Sequence, residues 1–425
     1  MIKNKEYTKP WKWVPTLYYA EGLPYSVVMF TSVVMYGLLG IPNSTIAFYT
    51  SLLSLPWVLK PLWSPFVDIY RTKRWWIISM QFIIAALLFC VAGVIKTEYF
   101  FAVSMGLLML IACASATHDI SADGFYMIAL KQKDQSLFVG IRSTFYRAAM
   151  ITGQGLITIL AGFLARKYFD GDMHSAWAVS FLAVAILFLL IVSYHTFILP
   201  EPKADKPVRR GKSPWGEFLE TFVTFFKKQG IIPAVSFILL FRLGEAQLVK
   251  IAPLFLLASR DTGGLGVTPE FQGLIYGTVG VIALLVGGIA GGVVISRGGL
   301  KKWIVPMFFF LNVPNLLYVY MSYFQPENPY IIGSCVALEQ LGYGFGFTSY
   351  MLFLIMFCDG ENKTAHYAIA TGIMALGMMI PGSVSGFIQE SWGYFMFFVW
   401  VLICAVPGFF IIRNLNISAD YGVKT

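Results

Sequence analysis

Nine ionisable residues interrupt sequence that is otherwise apolar over whole helix lengths: the acids Glu21, Asp119, Asp123, Glu245 and Glu339, and the bases Arg142, Arg147, Arg242 and Lys250. A carboxylate at bilayer depth costs about 2.5 kcal/mol or more unless it faces a cavity or a partner. Nine such groups describe a polar interior inside an apolar shell, which is what a solute carrier needs.

Their spacing suggests particular chemistry. Asp119, Asp123 and Tyr126 stand at i, i+4 and i+7, on one helix face. Two carboxylates there repel when both are ionised, so the pair is suited to taking up and releasing a proton. The competing arrangement locks each Asp to an arginine of the next span. His118 lies about 100° around the helix and either caps this site or bonds a backbone carbonyl. In the next span Arg147 and Gln154 share a face, with Tyr146 beside them. A guanidinium fork suits a carboxylate, whether of a substrate or of Asp119 and Asp123. Arg142 is nearer the cytoplasmic end and is read as a gate residue or a snorkelling one. Tyr18, Glu21 and Tyr25 share a face of the first span. Arg242 and Glu245, at i and i+3, either neutralise each other or meet a ligand. Lys250 is placed to reach a substrate carboxylate. Glu339, Gln340 and Tyr343 form a set suited to a sugar: carboxylate and amide for hydroxyls, a ring for stacking.

The elements that must position these residues follow from composition. Hydrophobic residues make up 57% of the 425 and charged residues 12%, against about 25% charged in soluble domains. A membrane helix takes about 20 residues, so the length accommodates twelve. The expected helices are 13–38, 44–66, 75–95, 98–130, 137–165, 175–199, 230–258, 270–296, 302–324, 330–358, 364–388 and 393–413. With both termini cytoplasmic, 22 Lys and Arg fall in cytoplasmic segments and 4 on the other side, the asymmetry that sets membrane topology. The net charge of +9 is therefore an orientation signal and not a nucleic-acid surface. The N-terminal lysines precede an apolar run with no cleavage signature, so the first span is read as retained. The five cysteines lack metal or redox spacing, and neither metal nor cofactor is expected. Gly287-Gly288 and Gly291-Gly292 follow no strand, which excludes a phosphate-cradling loop and favours close helix packing. No enzymatic activity is expected.

Residues 200–228 carry four prolines and a basic run, and read as a cytoplasmic linker between halves 1–199 and 229–425. The halves resemble each other. Arg71-Thr-Lys-Arg-Trp recurs as Gly299-Leu-Lys-Lys-Trp, and Ala20-Glu-Gly recurs as Gly244-Glu-Ala, at nearly equal offsets. This is the signature of an internal 6+6 repeat.

At the end of the second span the chain reads Leu55-Pro-Trp-Val-Leu-Lys60-Pro-Leu-Trp-Ser-Pro-Phe-Val-Asp68, followed by Arg71, Lys73 and Arg74. An acid at a helix end followed by a basic cluster suits a conformational latch, so Lys60, Asp68, Arg71, Lys73 and Arg74 are read as gate residues; the same bases also serve topology alone. This string resembles that of the AmpG muropeptide permeases, major facilitator transporters related to acetyl-CoA transporters. Gly22-Leu-Pro is similar to that family's Gly-Leu-Pro. His118-Asp-Ile-Ser-Ala-Asp-Gly-Phe-Tyr126 resembles its Gln-Asp-Ile-Ala-x-Asp-x-Tyr, and Tyr146-Arg147 its Tyr-Arg. His118 stands where the family usually has Gln, and Tyr126 sits one position late. The resemblance is specific over roughly 15–165.

The resemblance implies a major facilitator fold: an all-α membrane protein of twelve transmembrane helices in two six-helix pseudo-repeats. It implies proton-driven import of anhydro-muropeptides, a disaccharide with attached peptide, across the bacterial inner membrane by alternating access. The expected partners are a small glycopeptide, protons and the lipid bilayer, with no nucleic acid, and the chain is expected to act as a monomer. The alternative is a carrier of another organic anion, such as acetyl-CoA or a siderophore.

Overall fold

The structure is a computed structural model that describes residues 8–130, 132–207, 214–359, 363–418 and 421–422. Those residues are mostly helical, with no strand among them. Nine helices among them are long and apolar enough to cross a membrane. The last, His366–Ile412, is broken into two at Gly393, whose φ of 75° no helix admits. Two further helical stretches, 14–38 and 43–70, are interrupted, the first by the π turn Val27–Thr31 and the second between Leu52 and Leu55. Together these give the twelve expected passes.

Local chemistry sets the ends. The Thr72 hydroxyl accepts from Trp75 N at 3.1 Å at the start of Lys73–Val94. Asp172 caps Met173–Ile198, accepting from the amides of His174 and Ser175. Asn328 and Thr268 cap helices whose first residue is proline, which has no amide hydrogen to leave unsatisfied. Burial of apolar faces supplies the rest, because helices this short of charge are stable only when covered by protein or lipid.

The chain forms two compact units, residues 1–35 with 59–215 and residues 36–58 with 216–425. The core of the first includes Trp13, Leu17, Phe125 and Tyr126. That of the second is aromatic, with Phe237 4.5 Å from Phe353 and Phe241 5.2 Å from Phe308 between ring centroids. Residues 36–58 depart from the expected halves and pack within the second unit. Asn43 Nδ2 donates to Gln389 Oε1 at 2.6 Å, and Glu390 accepts from Ser44 N at 2.8 Å. A Cβ at Gly386 would come within 2.3 Å of Asn43 O, so only glycine permits this seat.

Residues 200–228 differ from a plain linker. Pro214–Phe226 is a helix, with Phe225 buried against Phe357 and Phe222, Val223 and Phe226 exposed. Proline at the first helical position favours such a start. The prolines upstream mark a connector and mask the periodic apolar residues after them. In the second unit Gly280–Gly298 lies directly on Pro329–Phe357. A Cβ at Gly344 would meet Leu284 O at 2.0 Å, one at Gly287 would meet Leu341 O at 2.1 Å, and Thr348 Oγ1 donates to Gly288 O at 3.1 Å. The glycines of this span do serve close packing.

Candidate functional site

In the first unit the first-span residues face the Phe100–Ala129 and Gln132–Ile151 helices. Arg142 Nη1 lies 3.2 Å from Asp123 Oδ1 and donates to the Tyr18 hydroxyl at 2.9 Å. Tyr18 in turn donates to Asp123 Oδ1 at 3.1 Å. The guanidinium also sits over the rings of Tyr18 (4.8 Å) and Tyr126 (5.2 Å). Arg142, assigned to the gate from sequence, is thus at the centre of the cluster. For Asp123 this is the competing arrangement, an aspartate held by an arginine of the next span; which arginine takes it depends on how the two helices cross.

Asp119 takes a different partner: Lys60 Nζ is 3.8 Å from its Oδ2. Lys60, also read as a gate residue, therefore belongs to this cluster. Glu21 is buried beside both aspartates, within reach of the charges of Asp123, Asp119, Arg142 and Lys60. Gly22 brings the first helix onto its neighbour, since a Cβ there would lie 2.9 Å from Tyr146 O. The rings of Tyr25 and Tyr146 lie 6.5 Å apart. Arg147 is half-buried, with its charge felt at Tyr146. Gln154 is half-buried within the π turn Thr152–Leu156, a distortion frequent at functional sites.

His118 points elsewhere. Its Nε2 is 2.8 Å from Gln81 Nε2, Gln81 Oε1 is 2.9 Å from His195 Nδ1, and His195 Nε2 is 2.9 Å from Thr16 Oγ1. This buried chain ties four helices together and engages the imidazole of His118 through Nε2, while its Nδ1 has no hydrogen-bond partner among the described residues. Gln81 and His195 escaped the sequence reading because it weighed charged groups. The same question put to neutral polar residues in apolar spans would have found them.

The basic cluster after the second span finds its acid in the connector. Asp205 accepts from Lys73 N at 2.7 Å and Arg74 N at 3.0 Å, at a helix N-terminus where a carboxylate is favoured. Arg74 donates to Thr196 O at 2.7 Å and lies 3.4 Å from Glu201. The Lys73 stem packs on Gly124, and Arg71 sits 5.6 Å from the Trp75 ring centroid. The side chain of Asp68 lies outside the described residues.

The second unit holds a separate constellation. Arg242 lies in the break after Ile231–Leu240, at the N-cap of the next helix, Leu243–Leu257. Among the described residues it makes no ion pair with Glu245. It donates to the Tyr343 hydroxyl and stacks on Phe347 at 4.6 Å and Tyr343 at 5.2 Å. Glu245 is 2% exposed and Glu339 1%, and the charge of Glu245 reaches Glu339. Glu339 Oε2 accepts from Gln340 Nε2 at 3.0 Å and from Tyr318 at 3.5 Å. Tyr276, in the π turn Ile275–Val279, lies within reach of both acids. Lys250 is buried and donates to Thr50 Oγ1 at 3.1 Å. Tyr318, Tyr276 and Thr50 carried no sequence signal, since neutral hydroxyls are common in apolar spans.

Comparison with known proteins agrees with this architecture. The chain is 25% identical over 409 residues to the anhydromuropeptide permease of Escherichia coli K12, covering 95% of this chain and 79% of that one. It is 24% identical to the AmpG 4 transporter candidate of Rickettsia conorii, over 94% and 95% of the two chains. The fold matches the nucleoside transporter NupG with a TM-score of 0.70 at 15% identity, over 95% of this chain and 98% of that one. It matches a D-xylose-proton symporter with a TM-score of 0.70 at 13% identity, over 97% and 99%. The family model of the Major Facilitator Superfamily matches residues 18–386. With its helical passes, internal charge clusters and this match over most of its length, the chain belongs to the major facilitator superfamily.

Proposed function

We propose that the protein imports anhydro-muropeptides, coupled to protons, across the bacterial inner membrane by alternating access, with both termini in the cytoplasm. The similarity to a named anhydromuropeptide permease over 95% of the chain supports the cargo. The single structural observation behind coupling is the cluster of Glu21, Asp119 and Asp123 with Arg142 and Lys60, held inside the first unit. Such groups are retained in membrane spans where a solute or proton path needs them. Arg147, Lys250 and Arg242 are the proposed contacts for cargo carboxylates. Gln340, Glu339 and Tyr343 are proposed for its sugars. The buried Lys250 favours an anionic cargo, which a peptide-bearing sugar acid satisfies. The basic surplus on one side of the sequence supports the orientation.

Proteoliposome uptake tests the reading. Labelled anhydro-muropeptide should accumulate when an inward proton gradient is imposed and stop when the gradient is collapsed. Asp119→Asn with Asp123→Asn should abolish accumulation, because Lys60 and Arg142 lose their partners. Uptake that ignores the gradient would remove the coupling, and transport of acetyl-CoA or a siderophore alone would remove the cargo.

A further inference from the structure

Glu21 is the carboxylate of the first unit's cluster that has no ion pair among the described residues. Asp123 is engaged by Arg142 and Tyr18, and Asp119 by Lys60. Glu21 is 9% exposed, and its Oε2 has no hydrogen-bond partner among the described residues. An ionised carboxylate in that position carries a desolvation penalty of several kcal/mol that neither an ion pair nor a hydrogen bond at Oε2 offsets, Arg142 and Lys60 acting on it only from beyond contact. Binding a proton removes the penalty.

The neighbours are defined on every side. The Phe100–Ala129 helix presents Asp119 and Asp123. Gln132–Ile151 presents Arg142 and Tyr146, with Arg147 acting on Tyr146. Leu55–Tyr70 presents Lys60. Tyr18 and Tyr25 lie on Glu21's own helix, and His195 meets that helix at Thr16. The backbone at Glu21 has no room to withdraw, because Gly22 already sits against Tyr146 O. Any response to its charge therefore falls to the long side chains of Arg142 and Lys60.

We infer that Glu21 is the residue that binds the transported proton, while Asp119 and Asp123 hold the two cations for which ionised Glu21 competes. The inference rests on the proton-coupled reading above. The carboxylate takes one proton from water on the outer side and becomes a neutral carboxyl, leaving Lys60 on Asp119 and Arg142 on Asp123. Release to the inner side restores the negative charge, which draws Arg142 or Lys60 towards Glu21 and loosens its link to its aspartate. The four helices that carry these groups thereby sense one proton.

Infrared difference spectroscopy on the full chain in lipid, with protons as the only probe, tests the assignment without cargo. A pH step should give a protonated-carboxyl band in the wild type that is lost in Glu21→Gln. The band should survive, shifted, in Glu21→Asp, and should survive in Asp119→Asn and in Asp123→Asn. In proteoliposomes Glu21→Gln should keep muropeptide exchange at equal concentrations while losing gradient-driven accumulation. A band unchanged in Glu21→Gln, or one lost in either Asp variant, overturns the inference. So does Glu21→Gln that still accumulates cargo in response to the gradient. A wild type that moves no muropeptide but loses the band on Glu21→Gln supports the proton assignment and removes only the cargo.

Discussion

Arg142 and Asp123 meet at 3.2 Å from adjacent helices, and the same guanidinium nitrogen holds the Tyr18 hydroxyl of a third. Both ionic partners are partly exposed, so the pair contributes only about 0.2–1 kcal/mol to stability. Its value lies in linking helices through a contact that can be exchanged.

Arg142→Gln should therefore leave thermal unfolding in detergent nearly unchanged and lower muropeptide uptake by roughly tenfold or more, a difference of about 1.4 kcal/mol. Arg142→Lys should restore only part of the loss, because the planar fork and its stacking on Tyr18 and Tyr126 are gone. Equal loss of folding and transport in Arg142→Gln would make the residue structural.

The chain of Thr16, His195, Gln81 and His118 leads to a separation of roles. Gln81→Leu takes the partner from two buried imidazole nitrogens, His118 Nε2 and His195 Nδ1, and should destabilise the first unit by about 1–3 kcal/mol per unpaired group, read as a lower unfolding temperature. His118→Gln should leave cargo affinity unchanged, since this ring is engaged by Gln81 through Nε2. A large rise in the apparent Kd of His118→Gln would return this residue to the binding surface.

Gly344→Ala tests the packing of the second unit. Its Cβ would come within 2.0 Å of Leu284 O, so the helices must part. Overpacking of this kind costs about 1–3 kcal/mol. The measurable outcome is earlier thermal unfolding together with reduced transport, while Gly292→Ala, whose Cβ meets nothing within 4 Å, should change neither.

Asp172 gives a pH prediction outside the membrane. The Ser175 hydroxyl and the amides of Ser175 and His174 hold its carboxyl below the usual carboxylate range. A group held lower in the folded state stabilises above its unfolded range, and that contribution fades as pH falls through the folded value. Asp172→Ala should cost about 1 kcal/mol at neutral pH, and the difference from wild type should shrink on acidification. A difference that grows with acid would contradict the cap.

Much of the architecture was readable in advance because lipid leaves few choices. An apolar run long enough to span must be helical, so the passes could be counted from hydropathy, and Glu21, Asp119, Asp123, Glu245 and Glu339 stood out against it. Partners were another matter. Asp119 pairs with Lys60, and Asp123 with Arg142, through crossings between helices that no periodicity encodes. Arg242 passes over Glu245, three residues away, for Tyr343 on a distant segment. The amphipathic stretch at 214–226 was hidden because the prolines before it read as a break. Asp205, the acid that anchors Lys73 and Arg74, lay in sequence that looked like plain connector.

The glycine contacts between Gly280–Gly298 and Pro329–Phe357 have a mechanical result. Two backbones this near each other have no cushion of side-chain atoms to shear, so sliding one along the other would force carbonyl against carbonyl. Glu339 and Tyr276 must then travel on a single fused strut, and whatever reshapes their surroundings has to bend the chain elsewhere, the break at Phe241 and Arg242 being the hinge at hand.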